Sequence, residues 1–78
     1  MDIKILGKGC AKCLKLESIT RETLASLGLD AQVTHVTDPN EIVTYPVMTT
    51  PALVIDGVVR CEGHLPRRED LSRWLLTH

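Results

Sequence analysis

Ile3 to Leu6 is a short apolar run that ends at Gly7 and Gly9, the pattern of a buried strand that stops in a loop. From Cys10 to Leu27 the apolar positions Cys13, Leu16, Ile19, Leu24 and Leu27 recur at three to five residues, with Ser18, Arg21, Glu22 and Ser26 opposite. That period predicts an amphipathic helix, stopped by Gly28. Ala31 to Val36 reads as a second strand. Asp38-Pro39-Asn40-Glu41 then combines a capping Asp, a proline at the first helical position and an acid three residues after the cap, which predicts a short helix reaching about Tyr45. Pro46 closes it, because the residue before a proline is pushed out of the helical region.

Ala52 to Ile55 and Val58 to Cys61 flank Asp56-Gly57, a two-residue signal for a β-hairpin. The last element starts near Pro66 and sets Leu71, Trp74 and Leu75 against Arg67, Arg68, Glu69, Asp70 and Arg73, a third amphipathic helix. The order βαβαββα predicts an α/β fold. A right-handed βαβ unit followed by a hairpin gives a four-stranded mixed sheet, most simply in the order 2-1-3-4, with three helices on its two faces. Such a fold takes up residues 1–78 as one domain.

Composition narrows the function. The chain has 78 residues, 44% of them hydrophobic and none of them Phe, so the expected core is aliphatic, packed around Trp74 and Tyr45. Nine basic and ten acidic residues leave a formal charge of -1, which gives no field for nucleic acid. No stretch approaches the roughly 18 apolar residues that cross a bilayer, and MDIKILGKG lacks the pattern of a signal peptide. A cytoplasmic monomer with no membrane or nucleic-acid partner is expected. Three cysteines are an odd count, unlike the even sets of small extracellular disulfide scaffolds.

Two of the cysteines stand as Cys10-Ala11-Lys12-Cys13. The predicted topology puts them at the C-terminal end of a central strand and the start of a helix, where α/β folds place their sites. A helix N-terminus favours an anion, and Lys8 and Lys12 add positive charge, so Cys10 is expected to be thiolate-prone. Cys13 shares the apolar stripe with Leu16 and should point inward. The two roles then separate: Cys10 attacks a partner disulfide, and Cys13, one turn along, attacks Cys10 to release the reduced partner. The same pair could hold a soft metal, Zn or Cu, as in small carrier domains. Those have the order βαββαβ, and a structural zinc wants four ligands, for which Cys61 and His64 are the further candidates. A purely structural pair is the third alternative.

Met48-Thr49-Thr50-Pro51-Ala52-Leu53 is the second signal. Alone, it reads as an ordinary trans proline at the mouth of a strand; as a cis bond it would leave the Thr50 backbone able to pair with an extended peptide. With CAKC after a first strand, TTPAL before the Asp56-Gly57 hairpin and the glycine of CEGHLP before a last helix, the chain resembles the thioredoxin-like superfamily over about Asp2 to Leu76. More narrowly, GKGCAKCLKLE with VMTTPALVIDG is similar to the glutaredoxin-sized thioredoxins of the redox-active disulfide type.

The resemblance implies a nucleophilic Cys10, a resolving Cys13, a cis Pro51 facing their disulfide, and main-chain pairing of Thr50 with substrate; Lys12 joins the substrate-binding residues through its adjacency to Cys10. It also implies protein disulfides as substrates, a separate reductase as electron donor, and neither cofactor nor metal. The chain departs from the larger thioredoxins in two places: Gly9 precedes the motif, and Lys4 stands near the strand position of their buried carboxylate. Ala11-Lys12 also differs from the Pro-Tyr of glutaredoxins. The function expected is thiol–disulfide exchange; the alternatives are the soft-metal carrier and a non-catalytic docking module of a larger redox or transport system.

The remaining polar and sulfur-bearing residues take simpler readings. Cys61 alternates with Arg60 and Glu62 and is expected in the core beside Val59, inert. His35, His64 and His78 share no ligand spacing, and Lys15, Arg67 and Arg68 read as solvated helix surface. Leu14 falls off the apolar stripe, a singly exposed leucine or part of an apolar rim beside the cysteines.

Overall fold

The computed structural model describes residues 1–9 and 11–77; Cys10 and His78, with the expectations that fall on them, lie outside the described residues. The elements are β1 (Asp2–Leu6), α1 (Ala11–Leu27), β2 (Gln32–Val36), α2 (Pro39–Ile42), β3 (Ala52–Ile55), β4 (Val58–Glu62) and α3 (Arg68–Thr77). They form a four-stranded sheet in the order β2-β1-β3-β4. β1 runs parallel to β2 and antiparallel to β3, and β3 runs antiparallel to β4. The mixed sheet and its order are those expected from the element pattern.

Strand alternation divides the core into two layers. Ile3 and Ile5 face α1 and α3, where they cluster with Leu16, Leu24, Leu53, Ile55, Cys61, Leu71 and Leu75. Leu6 turns the other way and packs with Val36, Ala52 and Val54, under Ile42, Tyr45 and Val47. Trp74 and Tyr45 are only half-buried at the margins of these clusters. Most of the fully buried positions are filled by Ile, Leu and Val.

Helix α1 buries more than its apolar stripe. Thr20 and Thr23 are buried as well, and each hydroxyl donates to the carbonyl one turn back, Leu16 at 2.8 Å and Ile19 at 2.7 Å. This back-bonding satisfies the polar atom within the helix, so a threonine can occupy a core position. Arg68 of α3 reaches Glu22 of α1 at 3.5 Å, while Arg67 and Arg73 converge on Asp70.

Helix α2 is a single turn, shorter than the run to Tyr45 that its cap and proline suggested. Its start is as expected: Asp38 accepts from the Asn40 N–H at 3.0 Å and Pro39 follows. After Ile42 the backbone tightens. The Thr44 and Tyr45 amides donate three residues back, to Glu41 and Ile42, and the Thr44 hydroxyl donates to the Glu41 carbonyl at 2.6 Å. Pro46 holds Tyr45 out of the helical region, and the β-branched Val43 and Thr44 favour the early end. Similarly, α3 begins at Arg68, just past Pro66.

The hairpin between β3 and β4 has positive φ at both turn residues, 48° at Asp56 and 83° at Gly57, a two-residue primed turn. Beyond it the register shifts: Val54 pairs with Val59, but Leu53 pairs with Cys61. Arg60 is the extra residue of a β-bulge. The bulge corrects the expectation that Val59 and Cys61 share a face: Cys61 joins the α1–α3 cluster, and Val59 packs on the α2 side.

Candidate functional site

The cysteine motif begins where β1 gives way to the Gly7–Gly9 loop. Gly7 is buried, and its N–H donates to the Val36 carbonyl at 3.0 Å, which continues the parallel pairing past β1. Gly9 has φ +79°, a conformation suited to glycine, and turns the chain toward α1. Cys13 is fully buried, as the apolar stripe predicted, and Lys8 and Lys12 are exposed.

Gly7 links the two motifs. A Cβ placed on it would overlap the Cys13 sulfur and come within 3.9 Å of the Pro51 Cα. The strand end is thus flanked by Cys13 from α1 and by Pro51 from the loop before β3. The Thr50-Pro51 peptide bond is cis, Pro51 is buried, and Thr50 is exposed. The resemblance implied that bond; the dipeptide taken alone suggested trans.

Residues from the end of β4 hold this loop. The Gly63 N–H donates to the Pro51 carbonyl at 2.8 Å, and the Met48 N–H donates to Glu62 Oε1 at 3.0 Å. Gly63 has φ +79°, and a Cβ there would meet Thr49 Oγ1 at 2.5 Å. Glu62, Gly63 and Thr49 were not singled out for any such role. The signal was the glycine of CEGHLP, whose backbone freedom serves close approach to the proline loop.

Beside Thr50 an open groove of about 220 Å³ is lined by Ile42, Val43, Val47, Met48, Thr49 and Thr50. Met48 is 91% exposed on it, a large apolar side chain in water next to the candidate site. Leu14 is exposed too, at 56%.

The third cysteine is apart in chemistry. Burial pushes the Cys61 thiol above its ordinary pKa, the Glu62 charge adds to that, and a backbone hydrogen bond from Leu53 acts against it. Its Sγ donates to the His64 carbonyl at 3.7 Å, while the His64 ring bonds the Glu62 carbonyl at 3.0 Å. Such a thiol is a poor nucleophile. Among the described residues, no three His, Cys, Asp or Glu side chains converge as a metal site would need.

Lys4 sits on the α2 face of β1, between Ile3 and Ile5 of the opposite face. Its ammonium lies 3.3 Å from the Asp2 carboxylate. That hydrogen bond, with the charge behind it, raises its pKa. The position offers no acid.

The thioredoxin domain family model matches residues 1–76. The chain belongs to the thioredoxin family. It is 36% identical over 76 residues to a thioredoxin of Methanocaldococcus jannaschii, covering 97% of this chain and 87% of that one. It is 32% identical over 75 residues to a thioredoxin of Methanothermobacter thermautotrophicus, covering 96% and 97%. Fold and family together make this a thioredoxin-like redox protein, an oxidoreductase in the general sense. Among the described residues no helix is long and apolar enough to cross a membrane.

Proposed function

We propose that the chain exchanges electrons with protein disulfides through Cys10 and Cys13. The observation that carries this reading is the closeness of Cys13 to Gly7 and of Gly7 to the cis Thr50-Pro51 loop. A buried sulfur and the loop that carries the exposed Thr50 stand on either side of one strand end. A substrate segment lying along Thr50 would be held by main-chain pairing, with its disulfide over the CxxC motif.

The reaction balances as two exchanges. The Cys10 thiolate attacks one sulfur of the substrate disulfide; a Cys10–substrate bond forms and the other substrate sulfur leaves as thiolate. Cys13 loses its proton and attacks Cys10, the mixed disulfide breaks, and the substrate leaves reduced while Cys10 and Cys13 end as a disulfide. A separate reductase returns two electrons to the pair. Lys12 is exposed within the motif, and its charge favours the thiolates that appear in each step. The protein works in this reading as a cytoplasmic monomer, with no cofactor or metal.

Substitution separates the roles. Cys10→Ser should abolish disulfide reduction, and Cys13→Ser should accumulate a mixed disulfide visible by mass on a non-reducing gel. Equal turnover in both variants would sink the assignment. Stoichiometric Zn or Cu(I) binding without a reversible disulfide would favour the metal carrier instead.

A further inference from the structure

Cys13 is fully buried, so a proton leaving its thiol cannot pass straight to bulk water. One acid shares its helix stripe: Glu17, one turn further along α1 and half-buried. Helical side chains four apart have Cβ atoms roughly 5–6 Å apart, and each leans toward the turn before it, so the Glu17 side chain covers the turn that carries Cys13. Glu17 is itself held in place. Its Oε1 lies 3.1 Å from His35 Nδ1, and its Oε2 accepts from Arg21 Nε at 3.1 Å.

His35 is the less expected half. It pairs in register with Ile5 on the α1 face of the sheet, and its chain neighbour Val36 accepts the Gly7 N–H beside Cys13. Its Nε2 is buried and has no hydrogen-bond partner among the described residues. An orphaned buried ring nitrogen is costly, and where a fold keeps one a chemical role is a common reason. The charged surroundings are few: Arg21 on α1, only Ile3 and Ile5 from β1 on this face, and from α3 an Arg68 that binds Glu22 rather than Glu17.

We propose that the Glu17–His35 pair takes the proton that Cys13 must lose before it attacks the mixed disulfide on Cys10. This rests on the oxidoreductase reading and adds the group that serves its second step. The Cys13 thiol gives its proton to the pair, the Cys13 thiolate forms a bond to the Cys10 sulfur, the bond from Cys10 to the substrate breaks, and the pair later returns the proton to solvent. An imidazole backed by a carboxylate is suited to this work, because the carboxylate stabilises the imidazolium that forms. Glu17 and His35 touch no substrate; their task is to take the proton of the reacting Cys13 sulfur.

The test is stopped-flow reduction of equimolar 5,5′-dithiobis(2-nitrobenzoate) by the reduced full chain, with mass spectrometry to show that Cys61 stays unmodified. Attack by Cys10 releases the first nitrothiolate, and attack by Cys13 the second. Glu17→Gln and His35→Gln should leave the first phase unchanged and slow the second at least about tenfold at pH 7. The gap should close toward pH 10, where hydroxide removes the proton, and Glu17→Asp should recover part of the rate. A second phase at the wild-type rate in the folded Gln variants, or one slowed by the same factor at every pH, would overturn the inference and leave the oxidoreductase reading standing. Failure of the wild-type chain to release a second equivalent would overturn both. Should Glu17→Gln not fold, His35→Gln gives the same reading.

Discussion

On the α1–α3 face of the sheet, nine of the described residues are buried in one cluster, with two amphipathic helices closing over them; on the α2 face, four are. The second face is roofed by a single helical turn and a loop, and its outer side chains, Val43 and Met48, stand in water at 76% and 91% exposure. The first face has the density of a core. The second leaves apolar surface beside Thr50 and Pro51, where a partner has to dock if the protein handles large substrates. In the proposed function, stability and recognition divide between the two sides of one sheet, and Gly7 sits at the strand end between Cys13 and Pro51.

Substitutions can break that division, and the largest effect belongs to the dense face. Leu16→Ala should cost about 2–5 kcal/mol, read as a fall in Tm of about 4–8 °C for each kcal/mol. Gly7→Ala comes next. Its methyl would overlap the Cys13 sulfur, so about 1–3 kcal/mol of overpacking is expected, together with slower release of substrate by Cys13. Gly57→Ala is the control, a glycine at φ +83° with no atoms within 4 Å of its Cβ position. Left-handed strain should cost about 1–2 kcal/mol there and leave exchange kinetics unchanged. If Gly57→Ala slowed exchange as much as Gly7→Ala, Gly7 would lose its place in the site.

On the open face, Met48→Ala should change stability by less than about 0.5 kcal/mol. Reduction of a protein disulfide should nevertheless slow several-fold, while a small aromatic disulfide is reduced as before. The smallest effect is one of pH. The raised folded-state pKa of Cys61 means that the unfolded chain ionises first, so stability contributed by the neutral thiol is present below the unfolded value of about 8.5 and is lost as pH rises above it. Cys61→Ala should flatten that alkaline slope in denaturant titrations, and an unchanged slope would remove Cys61 as its source.

Much of this was legible along the chain. Helix and strand periods, the Asp38 cap and the Asp56-Gly57 turn located the elements, because each is set by neighbours close in sequence. Cys13 was placed inward by its helical stripe alone. The bulge at Arg60 was not legible: an extra residue in one strand leaves the alternation of each half intact, so Val59 and Cys61 looked like partners on one face. The buried Thr20 and Thr23 were hidden by their polarity, since only the helix carbonyls one turn back make their burial tolerable. Likewise, the bracing of the Pro51 loop by Glu62 and Gly63, and the meeting of Glu17 with His35, depend on contacts between separate elements that spacing does not encode.

The central claim, that Cys10 and Cys13 form one reversible two-electron couple, is tested most directly by equilibrating the chain in glutathione buffers of graded potential, quenching in acid and counting alkylated cysteines by mass. The account predicts that Cys10 and Cys13 lose their labels together along a single two-electron curve, with Cys61 keeping a thiol throughout. Independent titration of the two, or a pair that stays fully labelled across the whole range, would contradict it.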